Sequence, residues 1–381
     1  MKNNFVAILD FGSSKITCMA ATKVAGKSDF LIRAVGQCQY NGFDENSFYE
    51  PDAISTCITD VISQVEKKIG SQIKEICVGV PGVFSSVATS EASVTFHSKK
   101  KIDADDVQEL INKANIFEVG SEYSPMGGKA VYYILDGGLK VDDPVGNVAS
   151  KLTALVSFSF MKNYFRNTVA PVLLQKGIKR ITYVNVCDAQ AQFVVQTMSQ
   201  KDYCIVIDVG HITTNVMLCG GKSLLFARTF SLGSGYLASD LTQVEGLDFQ
   251  TAMNVLSKVN LSLEFGDGDR YNVNGQALAA QRTNEILKSR IEQIASYIVV
   301  SFHQCDRDIP YDTPIILTGG GLTYLRGGAY TLASSLGKNI IVYESANPQT
   351  NRNEYTSCYG LISEAIKNNS PLGGLLAFLR K

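Results

Sequence analysis

One short pattern occurs twice in this chain, and it restricts the fold more than any other feature. Val-Ala-Ile-Leu-Asp10-Phe-Gly12-Ser13-Ser14-Lys15 returns 198 residues later as Ile-Val-Ile-Asp208-Val-Gly210-His211-Ile212-Thr213-Thr214. Each copy is an apolar strand that ends in Asp, with a Gly two residues on and a turn rich in hydroxyls. A second apolar strand follows, Ile16 to Ala20 in one copy and Val216 to Leu218 in the other. Taken singly, such a tip is an ordinary β-turn, because Asp, Gly and Ser are usual turn residues. Repetition at about one domain length predicts two similar halves facing each other across a cleft.

The remaining pattern is α/β. Short β-branched runs at Phe5 to Leu9, Ile76 to Val80, Thr153 to Phe160, Ile181 to Val186, Cys204 to Ile207 and Pro314 to Leu317 alternate with helical periodicity. One helix is predicted through Ile54, Ile58, Val61, Ile62, Val65 and Ile69, and a second after Asp103 as N-cap with Asp106 at N3. A third runs from about Asn284 to His303. A length of 381 residues with 45% hydrophobic content supports two to three domains and excludes dominant disorder. A net charge of -1 provides no bulk field for nucleic acid, so no nucleic-acid partner is expected. The nine cysteines show no C-x-x-C spacing and read as buried thiols in a reducing compartment. No apolar run is long enough to span a bilayer and the start lacks an h-region, so a cytosolic, non-spanning protein is expected.

Both hairpin tips carry what a polyphosphate needs: glycine, which lets backbone N–H groups approach closely, together with hydroxyl or Lys donors. Asp10, Gly12, Ser13, Ser14 and Lys15 from one copy, with Asp208, Gly210, Thr213 and Thr214 from the other, are the candidate phosphate clamp. Asp10 and Asp208 are the candidates to hold Mg2+ through water. A third cluster, Leu317-Thr318-Gly319-Gly320-Gly321, follows a buried-looking strand and suits the flat face of adenosine. ATP is the expected ligand, with Gly320 the position where a bulky residue would intrude on base or ribose.

These residues resemble the actin and sugar-kinase superfamily, and within it the FtsA family of bacterial cell-division proteins. The superfamily's first phosphate loop, D-x-G-[ST]-[ST]-K, stands at Asp10 to Lys15, and its L-T-G-G-G adenosine motif at Leu317 to Gly321. FtsA-like segments follow in order at 78–82, 102–107, 143–146, 231–241 and 354–361. The resemblance implies an actin-like α/β fold, with a first subdomain at 1–83 and 163–198 and an FtsA-type insert at 84–162. It places a second subdomain at 199–232 and 314–366 and a small subdomain at 233–313. It also implies ATP-dependent self-assembly into filaments on the cytoplasmic face of the cell membrane at the division site. There the protein would tether the C-terminal tail of the tubulin-like protein FtsZ, with Arg290 at the matching place for that contact. Asp188 and Gln190 stand where the superfamily puts its water-orienting residue. Helix capping is the alternative for Asp188, and at most slow ATP hydrolysis is expected.

The second hairpin departs from the family's D-I-G-G-G-T-T-D, with His211 and Ile212 for two glycines and Asn215 for the last carboxylate. His211 reads either as a phosphate contact or as a solvent-exposed tip residue. At the C-terminus Leu372, Leu375, Leu376 and Leu379 fall at i, i+3, i+4 and i+7, joined by Phe378 and closed by Arg380 and Lys381. That stripe predicts a short linker and amphipathic tail at 367–381 that lies on an anionic membrane surface without crossing it. Two alternatives remain open: a scaffold like the type IV pilus assembly protein PilM, which shares the insertion, and a sugar-kinase-type phosphotransferase.

Overall fold

Helix-forming and strand-forming segments alternate along the chain because their apolar periods alternate. The structure, a computed structural model, describes residues 5–24, 29–199 and 203–368. Strand β1 (Val6–Phe11) turns at Gly12 into β2 (Lys15–Lys23) and β3 (Phe30–Gln39), and helix α1 (Pro51–Ile69) leads to β4 (Glu75–Val80). Next come β5 (Ser85–Lys101), α2 (Ala104–Ala114), β6 (Tyr123–Ile134), β7 (Lys140–Val141) and β8 (Val148–Lys162). They are followed by α3 (Asn163–Gln175), β9 (Arg180–Asn185) and α4 (Val186–Thr197). The second copy opens on β10 (Cys204–Val209), β11 (Thr214–Gly220) and β12 (Ser223–Phe230), then α5 (Gly235–Glu245) and α6 (Phe249–Lys258). A small hairpin, β13 (Arg270–Val273) and β14 (Gln276–Ala279), precedes α7 (Ala280–His303). Last come β15 (Ile315–Thr318), α8 (Gly328–Leu336), β16 (Ile340–Val342) and α9 (Thr356–Asn368).

The repeat read from the sequence is a repeat of topology. One five-stranded sheet has the order β3-β2-β1-β4-β9 and the other β12-β11-β10-β15-β16, the same order with each strand replaced by its counterpart. In each, the hairpin's first strand lies parallel to a later one, β1 beside β4 and β10 beside β15. The chain divides into two units, one of Met1–Cys204, Met217–Ala227 and Ser357–Lys381, the other of Ile205–Val216 and Arg228–Thr356.

In the first unit α1 covers the first sheet, because its stripe of Ile54, Ile58, Val61, Ile62 and Val65 is buried. Each such side chain contributes about 1.5–3 kcal/mol. Pro51 starts the helix, and Gly70, left-handed at φ +66, ends it with its N–H on Glu66 O. The close approach needs Gly36 on β3, where a Cβ would lie 2.4 Å from Val61 O. A separate four-stranded sheet, β5-β8-β6-β7, packs α2 over its own core of Leu110, Leu152, Val156 and Phe158. The predicted N-terminus of α2 holds: the Asp103 side chain accepts from Asp105 N and Asp106 N, and Asp106 returns a bond to Asp103 N.

Three details differ from expectation. Helix α7 begins at Ala280, four residues before the predicted start. Asn284 looks like a cap but is buried inside the helix, with its amide donating to Asn260 O and accepting from Tyr271 O–H. Not every cysteine is a free thiol: Cys38 on β3 and Cys57 on α1, with Cα atoms 5.5 Å apart, form a disulfide. Cys305 is only half-buried.

Candidate functional site

The two hairpin turns close in the same way. Gly12 N–H donates to Lys15 O at 3.0 Å, and Gly210 N–H donates to Thr213 O at 2.9 Å, the identical bond 198 residues on. Asp10 and Asp208 thus stand at equivalent places, near the carboxyl end of a strand that runs parallel to its neighbour, where α/β sheets commonly bind ligands.

In the first hairpin Asp10 is 7% exposed, and its Oδ2 accepts from Ser357 O–H at 2.8 Å and from Cys358 S–H at 3.4 Å, both in the first turn of α9. Burial pushes the Asp10 carboxyl above the usual range, partly offset by Ser357, Cys358 and the Lys15 charge. Tyr40 braces the turn, its hydroxyl donating to Gly12 O at 2.7 Å and its N–H to Ser14 O at 3.2 Å. Ser13 is buried and Ser14 half-buried. Gly79 at the end of β4 leaves room for this arrangement, since a Cβ there would meet Leu361 at 2.6 Å and Asp10 Oδ1 at 3.4 Å.

In the second hairpin the glycine cluster joins the turn. Asp208 pairs in register with Thr318, and Gly321 N–H donates to Val209 O at 2.8 Å. Gly319 has φ +86, and a Cβ there would fall 2.0 Å from Asp208 Oδ1 and 2.5 Å from Val209 O. Gly320, the position expected to lie against base or ribose, has Glu354 Cβ 3.1 Å from a built Cβ. Its neighbour Gly319 is the tight position, because its peptide folds over the carboxylate. Thr213 is buried, and Thr214 O–H donates to Leu232 O at 2.7 Å. Asn215, in place of the family's carboxylate, accepts from Thr229 O–H at 2.7 Å.

His211 is not a solvent-exposed tip. Ser234 N–H donates to Gly210 O at 2.9 Å and Gly235 N–H to His211 O at 2.7 Å, drawing the Gly233-Ser-Gly235 segment over the turn. The imidazole packs on the start of α5, where a Cβ on Gly235 would lie 2.8 Å from Nε2, and edge-on to Phe249 at 6.3 Å. Burial lowers its pKa, which favours a neutral ring.

Asp188 does not cap its helix; Asn185 does, its side chain accepting from Cys187 N–H at 3.0 Å. The buried Asp188 carboxylate receives Lys129 Nζ at 2.7 Å on Oδ2, and Ser223 O–H at 3.2 Å and Leu224 N–H at 3.3 Å on Oδ1. Gln190 is 1% exposed and lies under α9, where a Cβ on Gly360 would sit 2.6 Å from its backbone N. Arg290 is held as a fork on Asp240, Nε to Oδ2 at 2.7 Å and Nη2 to Oδ1 at 2.5 Å, over the Tyr236 ring and beside Gln293. The predicted membrane tail, with Leu372, Leu375, Leu376, Phe378, Leu379, Arg380 and Lys381, lies outside the described residues. Among the described residues no helix is long and apolar enough to cross a membrane.

Sequence reasoning missed what α9 does. Its segment was singled out at 354–361, but only the fold puts Ser357 and Cys358 on Asp10, Gly360 on α4 and Glu364 on Lys129. The donor set fits a nucleotide phosphate: carboxylate, glycine and hydroxyl recur in both turns, and Gly319 cradles Asp208. Among the described residues no cluster of three or more His, Cys, Asp or Glu could hold a metal. One or two carboxylates with phosphate and water is the usual way of holding Mg2+.

Residues 85–158 match the family model of the SHS2 domain inserted in FtsA. The FtsA cell-division protein of Streptococcus pneumoniae is 23% identical over 84% of this chain and 71% of its own length. That of Bacillus subtilis is 21% identical over 99% of this chain and 87% of its own length. Among solved structures, the PilM–PilN type IV pilus biogenesis complex superposes with a TM-score of 0.62 at 14% identity, covering 95% of this chain and 98% of that one. MreB5 of Spiroplasma citri bound to AMPPNP does so with a TM-score of 0.56 at 9% identity, covering 97% and 98%. The fold is therefore actin-like, and the chain resembles the FtsA cell-division proteins along most of its length, their inserted domain included.

Proposed function

We propose that this protein is an FtsA-like, actin-like ATP-binding scaffold of cell division, which assembles with copies of itself and tethers FtsZ by binding the acidic C-terminal tail of FtsZ. The observation that carries the reading is the paired turn geometry, with Gly12 on Lys15 and Gly210 on Thr213, in a chain that contains the FtsA-type insert. ATP would be held by Asp10, Gly12, Ser13, Ser14, Lys15, Asp208, Gly210, Thr213, Thr214 and Gly319 to Gly321, and Mg2+ through water by Asp10 and Asp208. When bound, the ligand supplies negative charge that the turn N–H groups, hydroxyls and Lys15 match; the protein's share of the work is orientation and exclusion of water. Asp188 and Gln190 are the proposed groups for any slow hydrolysis, and Arg290 the proposed contact for the FtsZ tail. Attachment to the cytoplasmic face of the membrane at the division site is assigned to 372–381. A helix that short binds lipid weakly, so attachment would depend on many copies in a filament.

The test is direct. Calorimetry should show Mg-ATP binding, an FtsZ tail peptide should bind where a pilus membrane-protein tail does not, and the full chain should pellet with anionic liposomes under polymerising conditions. A chain ending at Ser370 should stay in the supernatant. Absence of ATP binding, or preference for the pilus peptide, removes this reading.

A further inference from the structure

One half-buried cation joins the insert to the rest of its unit. Lys129, on β6, places Nζ 2.7 Å from Asp188 Oδ2 on α4 and 2.8 Å from Glu364 Oε2 on α9. Both carboxylate side chains are 7% exposed, so each depends on this ammonium for its main countercharge. Burial alone would raise the Glu364 carboxyl, yet Lys129 and Lys367 hold it at about 2. The Lys129 ammonium is held above the ordinary lysine range: its partial burial opposes the charge, and the two carboxylates outweigh it.

Each partner leads back to a hairpin. Glu364 shares α9 with Ser357 and Cys358, which hold Asp10; seven residues are two helical turns, about 10 Å along one face. Between them Gly360 is seated on Ala189, where a Cβ would lie 2.4 Å from its carbonyl, so α9 cannot roll independently of α4. Asp188 accepts from Ser223 and Leu224 at the start of β12, and Lys222 N–H in the same turn donates to Val131 O on β6 at 3.1 Å. Gly221, at φ +55, brings that turn so near that a Cβ would be 2.2 Å from Val131 O. The turn is the far end of β11, the strand that leaves the second hairpin's tip at Thr214.

We infer that Lys129 is a positioning residue that couples the insert to the phosphate-binding hairpins, so that a nucleoside triphosphate in the turns changes the packing of the inserted sheet. The inference rests on the proposed ATP binding. Its physical basis is that two buried carboxylates share one ammonium: displacement of α9 or of the β11–β12 turn must carry β6 with it or strand a buried carboxylate. Lys129 touches neither hairpin turn, so its effect passes through Glu364 and Asp188.

Amide hydrogen exchange on the full chain, with Mg-AMPPNP as the probe and calorimetry alongside, tests this. In the wild type the nucleotide should change exchange in β5, β6 and β8 by about fivefold or more. Lys129→Met should still bind nucleotide but lose that response. The double variant Lys129→Met/Glu364→Gln, which leaves one fewer unpaired charge, keeps the test available if the single variant fails to fold. A nucleotide-bound wild type with an unchanged insert, or a variant that responds like wild type, overturns the coupling. A wild type that binds no nucleotide overturns the reading beneath it.

Discussion

Replacing Gly319 with Ala should damage the second unit far more than the same change at Gly320. At Gly319 the new Cβ would fall 2.0 Å from Asp208 Oδ1 and 2.5 Å from Val209 O, at a φ of +86 that L-residues avoid. Left-handed strain costs about 1–2 kcal/mol, and forcing a methyl into a packed site about 1–3 kcal/mol. A central total of about 3.5 kcal/mol lowers the melting temperature of a unit this size by roughly 7–14 °C. The nearest relief moves Asp208, so Mg-ATP affinity should fall as well. At Gly320 the backbone suits any residue, and Glu354 Cβ at 3.1 Å need yield only a few tenths of an ångström. The lower entropy of the unfolded Ala chain offsets much of that cost, leaving roughly ±0.5 kcal/mol. Scanning fluorimetry of both variants, with calorimetry of ATP, reads the contrast. Equal melting temperatures, or a Gly319→Ala protein indistinguishable from wild type, would refute the assignment of Gly319 as the position that closes over Asp208.

The Glu364 carboxyl, held at about 2 where an unfolded glutamate titrates near 4.3, contributes stability that is fully present above the unfolded value and lost as pH falls towards 2. Glu364→Gln should therefore flatten the acid limb of urea midpoint against pH, and an unchanged limb would count against the triad. Asp10 has the opposite sign, because its raised pKa makes the carboxylate a cost at neutral pH. Asp10→Asn should raise the melting temperature of nucleotide-free protein while abolishing the further rise that Mg-ATP gives, and a lower apo melting temperature would contradict this. Asn185→Ala removes the cap from Cys187 N and should cost about 1–2 kcal/mol in urea denaturation; no loss would show the cap to be idle. The swap Arg290→Asp/Asp240→Arg should restore the stability that either single change loses, yet leave FtsZ-tail binding weakened. Full recovery of tail binding would remove Arg290 as the tail contact.

Much of the fold was legible because it depends on local period. The hairpins, the α1 stripe and the Asp103 cap are each encoded within about twenty residues, and the duplicated Asp-x-Gly tips announced the paired topology. The start of α7 was not legible, because Asn284 has the chemistry of a cap and only its bonds to Asn260 and Tyr271 show it buried mid-helix. The side-chain partners of Asp188 and Arg290 likewise come from far along the chain, Lys129 at 59 positions away and Asp240 at 50.

By itself, then, the amino-acid sequence determined the repeated elements and the residue types gathered at their turns, since turn chemistry and apolar periodicity act over a few neighbouring residues. Only the tertiary structure decided which carboxylates are committed to protein partners and which glycine is closed. It also decided that α9, 347 positions from Asp10, supplies the Ser357 hydroxyl that holds it. Burial and ion pairing depend on which segments meet in space, and no spacing along the chain records that.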